Sequence, residues 1–399
     1  NMINNINPFE ELPEGLVDEM LSNSRLVAGN LAMKYKEISN KKGELRRKLE
    51  NLNLLKNYND LSSSQAFPTS AGVDGSYTIE RMLASDFACV AAVAVEGLTP
   101  PNEKRYWPKP RYFSNISIVK HNDDTSQVLR GISAGLEIHL AVKAPHDVVF
   151  LDGSMKTPII FLNNATEKIL TAPPELRDIF LYGKDAVNED SVRFPGFKDM
   201  INNLEEILKS PRSDKVYVAV PKYTTRNELC QILGYENYED RGLLNFILQG
   251  GEYIGPLDST PDNLHISTRY IEEFDKNLVE DGLKDRLTNV IKNFLPSIKI
   301  IYFRPYNYSP VFRLEIPNSV SANKSMLSLT LEAIRMQTVS SAIMEPYPLY
   351  LADRMVKHLS TAIPAIKNSA LQQVAQNWND NLSNIFMAMH SFRTEGGWT

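Results

Sequence analysis

The sequence has few of the features that mark secreted, membrane-spanning or cysteine-zinc proteins. Its two cysteines, Cys89 and Cys230, lie in apolar contexts without metal-type spacing, which excludes a disulfide framework and a cysteine zinc site. The start, Asn1 to Pro13, is polar and has no apolar signal segment. No stretch approaches the roughly 18 apolar residues of a membrane span. We therefore expect a cytoplasmic protein that does not associate with a membrane.

The sequence also lacks an excess of positive charge and any histidine cluster. Lys and Arg number 43 against 48 Asp and Glu, a net charge of −5. This balance argues against a uniformly basic protein that coats nucleic acid, although an enzyme that holds DNA in a metal-lined channel needs no basic excess. No metal-ligand spacing is seen among the isolated histidines His121, His139, His146, His265 and His390.

Two short tetrads are the most informative motifs present, Val73-Asp74-Gly75-Ser76 and Leu151-Asp152-Gly153-Ser154. Each follows residues typical of a strand, and Gly-Ser is expected to turn the chain. The alternative is an ordinary turn, since Asp-Gly is common in turns. Two aspartates at the ends of adjacent strands can instead share Mg²⁺ or Mn²⁺, which prefer oxygen ligands. This arrangement predicts metal-assisted phosphate-ester chemistry.

The first 65 residues are predicted to form an N-terminal helical arm, and residues 66–399 the main domain. Residues 14–57 read as helix because Leu45, Leu49 and Leu52 share one face while basic residues crowd the others. Two interpretations stay open for this helix. It either packs on the body of the protein or forms an arm that contacts nucleic acid or a second protomer.

The rest of the chain mixes strands and helices. Apolar strands are followed by helices in an order that predicts an α/β fold with a mixed central sheet flanked by helices, ending in C-terminal helices. The predicted strands are 72–77, 84–95, 112–118, 147–151, 215–220, 299–303 and 311–316, and the predicted helices are 126–142, 165–212, 226–249, 322–342 and 349–392.

Glu137 adds a third carboxylate to the two aspartates. It lies on the predicted helix 126–142, fifteen residues before Asp152. By itself it reads as an exposed glutamate of an amphipathic helix. Together, however, a strand Asp, a helical Glu and a second strand Asp are the ingredients of a ribonuclease-H-like nuclease site, in which carboxylates hold one or two metals.

Two basic residues accompany the carboxylates. Lys222 follows a buried strand and could hold a phosphate oxygen, or it could be a solvated lysine at a strand end. Arg313 lies on a strand that also carries Glu315, so it could contact substrate or simply pair with that glutamate.

In the order of these motifs, the chain resembles the NurA family of nucleases, which work with the hexameric HerA ATPase in DNA end processing. The resemblance covers residues 70–358. Besides the two tetrads and Glu137, it rests on three further segments: Val218-Ala219-Val220-Pro221-Lys222, Phe312-Arg313-Leu314-Glu315 and Pro346-Tyr347-Pro348-Leu349.

The resemblance implies a ribonuclease-H-like core, dependence on Mn²⁺ or Mg²⁺, and a homodimer with a central channel. It further implies exonuclease and single-strand endonuclease activity on DNA in partnership with a HerA-like ATPase. The residues it assigns to metal binding are Asp74, Glu137, Asp152 and Asp353. Lys222 is expected to serve both catalysis and substrate binding, and Arg313 and Tyr347 to contact substrate.

The late motif departs from the family pattern at two positions. The family usually has Tyr-Pro-x-Pro-Leu-x-x-Ala-His, but Glu345 stands at the Tyr position and Asp353 at the His position. Asp353 can bind a hard cation through oxygen but cannot act as an imidazole does near neutral pH. Either the site uses four carboxylates, or His358 approaches it, or activity is weakened.

Two competing functions remain. A phosphatase of the haloacid-dehalogenase type needs a nucleophilic Asp two residues before the tetrad Asp. This sequence has Gly72 and Phe150 at those positions, so the nucleophile is missing. The other is a catalytically weak scaffold that guides DNA for an ATPase motor, with defence against phage as one setting. The changes at Glu345 and Asp353 favour it, whereas the intact Asp74, Glu137 and Asp152 favour a nuclease.

Overall fold

The computed structural model describes residue 9 and residues 12–61, 67–184, 193–223, 227–260, 262–279, 282–378 and 381–397. Of the predicted N-terminal arm and its boundary, residues 1–8, 10, 11 and 62–66 lie outside these ranges.

Ten strands of the described chain form one mixed sheet, in the spatial order β1-β7-β8-β9-β6-β5-β2-β3-β4, with β10 paired to β2. The central pairs β2–β5 and β5–β6 are parallel, and the other pairs are antiparallel. The strands are β1 (Leu55–Asn57), β2 (Ser70–Met82), β3 (Asp86–Glu96), β4 (Arg111–Val119), β5 (Val148–Asp152), β6 (Val216–Val220), β7 (Glu252–Asp258), β8 (Lys299–Arg304), β9 (Phe312–Ile316) and β10 (Ser391–Gly397).

Helices cover both faces of the sheet, so the predicted α/β class with a mixed central sheet is confirmed. The helices are α1 (Glu14–Asn51), α2 (Thr125–Lys143), α3 (Thr157–Glu167), α4 (Pro174–Tyr182), α5 (Phe197–Lys209), α6 (Glu228–Leu233), α7 (Asp240–Ile247), α8 (Arg269–Phe274), α9 (Leu283–Phe294), α10 (Asn318–Ala322), α11 (Lys324–Met336), α12 (Tyr347–Asn377) and α13 (Leu382–Ala388).

Strand β2 shows how the two faces are covered. Successive residues of a strand point to opposite faces. Two glycines of β2 face different helices, as the atoms nearest to an added Cβ show. A Cβ at Gly72 would lie 2.4 Å from the backbone nitrogen of Leu349 in α12, and a Cβ at Gly75 would lie 2.5 Å from Ser133 Oγ in α2. Thus α12 packs on one face of β2 and α2 on the other.

The first tetrad lies inside a strand, which corrects the expectation that Gly75-Ser76 turns the chain. β2 runs on to Met82. The glycine there serves the close approach of α2. In the second tetrad the expectation holds, because β5 ends at Asp152 and Gly153 has a φ of 72°, a conformation that glycine adopts without strain.

The N-terminal helix is shorter than predicted. α1 ends at Asn51, and residues 55–57 form an edge strand that pairs with β7. Asn53, with a φ of 55°, lies in the left-handed region that ends a helix. Strands β7 and β10 were not predicted, and β10 falls partly in a stretch predicted as helix. No helix in the described part of the chain is both long and apolar enough to cross a bilayer.

Candidate metal centre

Three aspartates from distant parts of the sequence meet at the middle of the sheet. One carboxylate oxygen from each of Asp74, Asp152 and Asp353 lies within 4.8 Å of the others. Asp74 and Asp353 are buried, with 2% and 7% of their surface exposed. Such a spacing brings three oxygen ligands within reach of one cation.

The parallel pairing of two strands sets Asp74 beside Asp152. Val73 pairs with Leu151 in the β2–β5 ladder, so the next residue of each strand is one of the two aspartates. Each carboxylate accepts a hydrogen bond from the backbone N–H of the glycine that follows it, at 2.8 Å for Asp74 and 2.9 Å for Asp152. These bonds hold both carboxylates against their own strands.

Asp353 reaches the cluster because α12 lies directly on β2. The contact of Leu349 with Gly72 fixes the first turn of α12 on the strand. Asp353 follows Leu349 by four residues and therefore lies on the same face of the helix. Of the possibilities left open by the sequence, the structure brings Asp353 to the aspartates, whereas His358 is exposed and lines a neighbouring groove with Tyr112.

Glu137 approaches β2 from the α2 side and does not belong to the group of three converging aspartates. A Cβ at Gly75 would lie 2.7 Å from Glu137 Oε1, so the glutamate passes against bare backbone. Burial, followed by the charges of Asp74 and Asp152, raises the pKa of Glu137 well above its usual value. Glu137 therefore lies close enough to the aspartates to share their electrostatic field.

Lys222 places an ammonium group among the carboxylates. It follows β6, whose last residue Val220 pairs with Asp152. Its Nζ lies 2.7 Å from Asp353 Oδ1, 3.1 Å from Asp152 Oδ2 and 3.2 Å from Glu345 Oε2. Burial works against its charge, but the neighbouring carboxylates outweigh burial and raise the pKa of Lys222.

Negative charge exceeds positive charge at this centre. Burial and then the charge of Asp152 raise the pKa of Asp74 well above its usual value. Burial also raises the pKa of Asp152, although Lys222 partly offsets this. Burial acts in the same direction on Asp353, but hydrogen bonds from Lys222 and Lys357 prevail and lower its pKa. Buried carboxylates that repel one another fit a divalent cation.

Arg313 lies in a buried network of its own. Its guanidinium, 3% exposed, pairs with Glu228 at 3.0 Å and Glu315 at 3.3 Å, and it donates to Tyr302 Oη at 2.7 Å. Pairing with Glu315, the alternative left open by the sequence, is therefore present. A contact of Arg313 with substrate stays a prediction.

The Arg313 network also supports the second tetrad, a link that the sequence motifs did not reveal. Glu315 Oε2 accepts hydrogen bonds from Ser154 Oγ at 2.6 Å and from the Met155 N–H at 3.1 Å. Because Ser154 and Met155 follow Asp152 and Gly153 directly, these bonds fix the turn that carries Asp152.

The late motif contributes Glu345, which departs from the family pattern, and Tyr347, which is predicted to contact substrate. Glu345 is buried and contacts Lys222, as described above. Tyr347 is the half-buried first residue of α12, and its backbone N–H donates to the carbonyl of Gln337 at 2.9 Å. A contact of its phenol with substrate stays a prediction.

No protein-family model matches the sequence, and no curated protein matches it. Among solved structures, the NurA nuclease from Sulfolobus solfataricus is similar, with a TM-score of 0.56 over 92% of this chain and 99% of that chain at 14% identity. A structure of NurA with manganese gives a TM-score of 0.50 over 90% and 99% of the two chains at 13% identity. At these identities the similarity establishes a common fold, which confirms the structural part of the NurA resemblance.

Proposed function

We propose that this protein is a metal-dependent deoxyribonuclease that hydrolyses phosphodiester bonds in single-stranded DNA and at duplex ends. The observation that supports it best is the convergence of Asp74, Asp152 and Asp353 within 4.8 Å on a fold that it shares with NurA nucleases. Asp74, Asp152 and Asp353 would hold Mn²⁺ or Mg²⁺, with Glu137 as a fourth carboxylate beside them.

The residues around the centre suit phosphodiester hydrolysis. A bound divalent cation activates water and offsets charge on the scissile phosphate. Lys222, whose ammonium contacts Asp152 and Asp353 when no metal is bound, can hold a phosphate oxygen beside the metal and so position the substrate. The Ser154–Glu315–Arg313 network keeps the Asp152 turn in place, so that a ligand oxygen need not reorganise during the reaction.

Digestion of end-labelled DNA tests the proposal. We expect Mn²⁺-dependent cleavage of single-stranded DNA and of duplex ends by the wild type, and loss of cleavage upon addition of a chelator. Asp152→Asn keeps the size of the side chain but removes its charge, so it should abolish cleavage. Far-UV circular dichroism of the variant should match the wild type.

Two results would contradict different parts of this proposal. Normal cleavage by Asp152→Asn would remove Asp152 from the site. A wild type that binds DNA but cleaves none with any divalent cation would favour the alternative, a catalytically weak subunit that guides DNA. What supports this alternative is the presence of Glu345 and Asp353 where the NurA pattern has Tyr and His.

We further propose that the protein acts as a homodimer on a HerA-like hexameric ATPase in the cytoplasm, in DNA end resection. This proposal is supported by the NurA resemblance and by the long α1 helix, whose first half contacts little of its own chain. Residues 14–37 of α1 are almost all exposed, and its buried residues are Ile38, Leu45 and Leu49. Copurification with a HerA-like ATPase would test the partnership, which lack of any interaction at micromolar concentration would refute.

A further inference from the structure

Lys222 already occupies, as a positive charge, part of the space where a divalent cation would bind. Its Nζ contacts Asp152 and Asp353, which belong to the cluster of three aspartates, and Glu345, which does not. We propose that Lys222 is a built-in counter-ion that the metal displaces from Asp152 and Asp353, and that Glu345 is the positioning residue that retains it. This inference rests on the proposed metal site.

The two cations cannot share the same oxygens at low energy. A divalent ion at Asp152 and Asp353 would lie within a few ångströms of the Lys222 ammonium, where like charges repel strongly because the site is partly desolvated. Metal binding therefore requires the ammonium to move away from these two aspartates. Of its three partners, Glu345 is the one that lies outside the cluster.

There is room for this movement on the Glu345 side. Lys222 and Glu345 both line a cavity of about 680 Å³ together with Tyr223, Arg241 and Asn245. The backbone at Lys222 is meanwhile held in place, because Arg241 donates to the carbonyl of Lys222 at 2.6 Å and to that of Pro221 at 3.4 Å. The side chain can thus withdraw into the cavity while the end of β6 stays fixed.

Glu345 is not fully satisfied in the present arrangement. It is 8% exposed, and its Oε2 has no directed hydrogen bond from any described residue although it lies 3.2 Å from Lys222 Nζ. A buried carboxylate oxygen without a hydrogen bond is costly. A Lys222 that leaves the aspartates and turns fully to Glu345 would supply this bond.

The expected energetics follow from what Lys222 contacts before and after displacement. Without metal, Lys222 has three carboxylate partners, and with metal it keeps Glu345 alone. Loss of the Glu345 charge would therefore destabilise the metal-bound state more than the metal-free state. In a variant without the lysine charge, Glu345 would have nothing to retain, and its removal would no longer weaken metal binding.

A double-mutant cycle on the full-length protein tests this by measuring Mn²⁺ affinity, with the electron paramagnetic resonance signal of free Mn²⁺ as readout. We expect Lys222→Met to tighten Mn²⁺ binding roughly tenfold and Glu345→Gln to weaken it roughly tenfold. Adding Glu345→Gln to Lys222→Met should change affinity by less than about twofold. Glu345→Asp should restore part of the wild-type affinity.

Each other outcome has a defined meaning. A wild type that binds no Mn²⁺ would defeat the proposed function itself. If the wild type binds Mn²⁺ and Lys222→Met binds it equally well, or Glu345→Gln has no effect, the displacement inference is overturned. Equal weakening by Glu345→Gln with and without Lys222 would make Glu345 a metal ligand and also overturn it. Lys222→Gln provides the same test if circular dichroism shows that Lys222→Met is unfolded.

Discussion

Asp353 carries the clearest departure of this chain from the NurA pattern, because a carboxylate stands where a histidine is usual. It is buried, lies with Asp74 and Asp152, and has a lowered pKa owing to Lys222 and Lys357, which overcome the effect of burial. It is therefore anionic throughout the physiological pH range, whereas an imidazole would titrate near neutrality.

We expect Asp353→Ala to weaken Mn²⁺ binding, since one of three converging oxygens is lost, and Asp353→His to preserve or raise nuclease activity. Mn²⁺ titration and cleavage of labelled single-stranded DNA measure the two effects. Arg354→Ala is the control, because Arg354 is the exposed neighbour and contacts Tyr350 within its own helix. An Asp353→Ala variant with unchanged metal dependence would show that Asp353 is a structural carboxylate.

The burial of Glu137 leads to a prediction about the pH dependence of folding stability, which can be tested without substrate. Its pKa in the folded protein is raised above the ordinary 4.5 by burial and by Asp74 and Asp152. The fold therefore favours the protonated form, so this group's contribution to stability is complete below pH 4.5 and is lost as the pH rises through the folded-state pKa. Ionisation of Glu137 is therefore unfavourable in the folded, metal-free protein.

Accordingly, Glu137→Gln should raise the Tm of the metal-free protein at pH 8 and change it little at pH 4. Saturating Mn²⁺ should remove this advantage, since the metal compensates the wild-type charge. Thermal unfolding at the two pH values, with and without Mn²⁺, provides the measurement. An equal gain at both pH values would mean that packing, rather than charge, causes the effect.

At the scale of elements, the two tetrads show how far sequence reasoning reaches. The sequence predicts a strand end and a turn at both tetrads, and both place an aspartate at the same centre. The turn at Gly153 follows from local chemistry, whereas Gly75 lies inside β2. No local signal distinguishes them, because Gly75 is needed for a contact with α2, which lies more than fifty residues away in sequence.

Gly75→Ala should therefore disturb both stability and metal binding. The new methyl group would lie 2.5 Å from Ser133 Oγ and 2.7 Å from Glu137 Oε1, so these side chains must move, at a cost of about 1–3 kcal/mol. Displaced Glu137 should also lower Mn²⁺ affinity. Urea unfolding and Mn²⁺ titration measure the two effects.

Gly43→Ala is the matched control for this substitution. Gly43 lies exposed within α1, where an added Cβ would meet nothing within 4 Å. Alanine is the better helix former, so this change should stabilise the protein by up to about 1 kcal/mol. If both alanine variants had the same stability, the close approach of α2 to β2 would be absent in solution.

The remaining differences between the predicted and observed strands arise from pairing between distant segments. The sequences of β7 and β10 carry weak strand signals, and these segments form strands because they pair with β8 and β2, respectively. The residues of the Arg313 network were likewise beyond motif analysis, apart from the alternation of Arg313 and Glu315. The two tetrads predicted that Asp74 lies beside Asp152, because parallel neighbouring strands align them, whereas the metal-binding roles of these residues and of Glu137 stay a prediction.

For the whole molecule, the main open feature is the exposed first half of α1. Leu16, Met20, Val27 and Leu31 are each at least 42% exposed on this helix, which leaves an apolar surface of the kind that marks protein contacts. We expect the protein to be a homodimer in solution through this surface.

Light scattering should then give twice the 45.1 kDa mass of the chain. Introducing charge with Met20→Lys and Leu31→Lys together should shift the mass toward that of one chain. Ser22→Lys and Ala32→Lys together, at exposed positions on the opposite face of the same helix, add the same charge and should leave the dimer intact. A wild type that is monomeric at micromolar concentration would refute the dimer.

The way α12 lies across β2 has a consequence for biosynthesis. Asp74 and Asp152 are joined by neighbouring strands of the first half of the chain, but Asp353 arrives only when α12 docks over Gly72. Lys367 of the same helix then contacts Glu80 across 287 positions of sequence. Contacts between such distant positions form late in folding. A chain still emerging from the ribosome therefore has an incomplete set of carboxylates, and the proposed nuclease activity would appear only once α12 has docked.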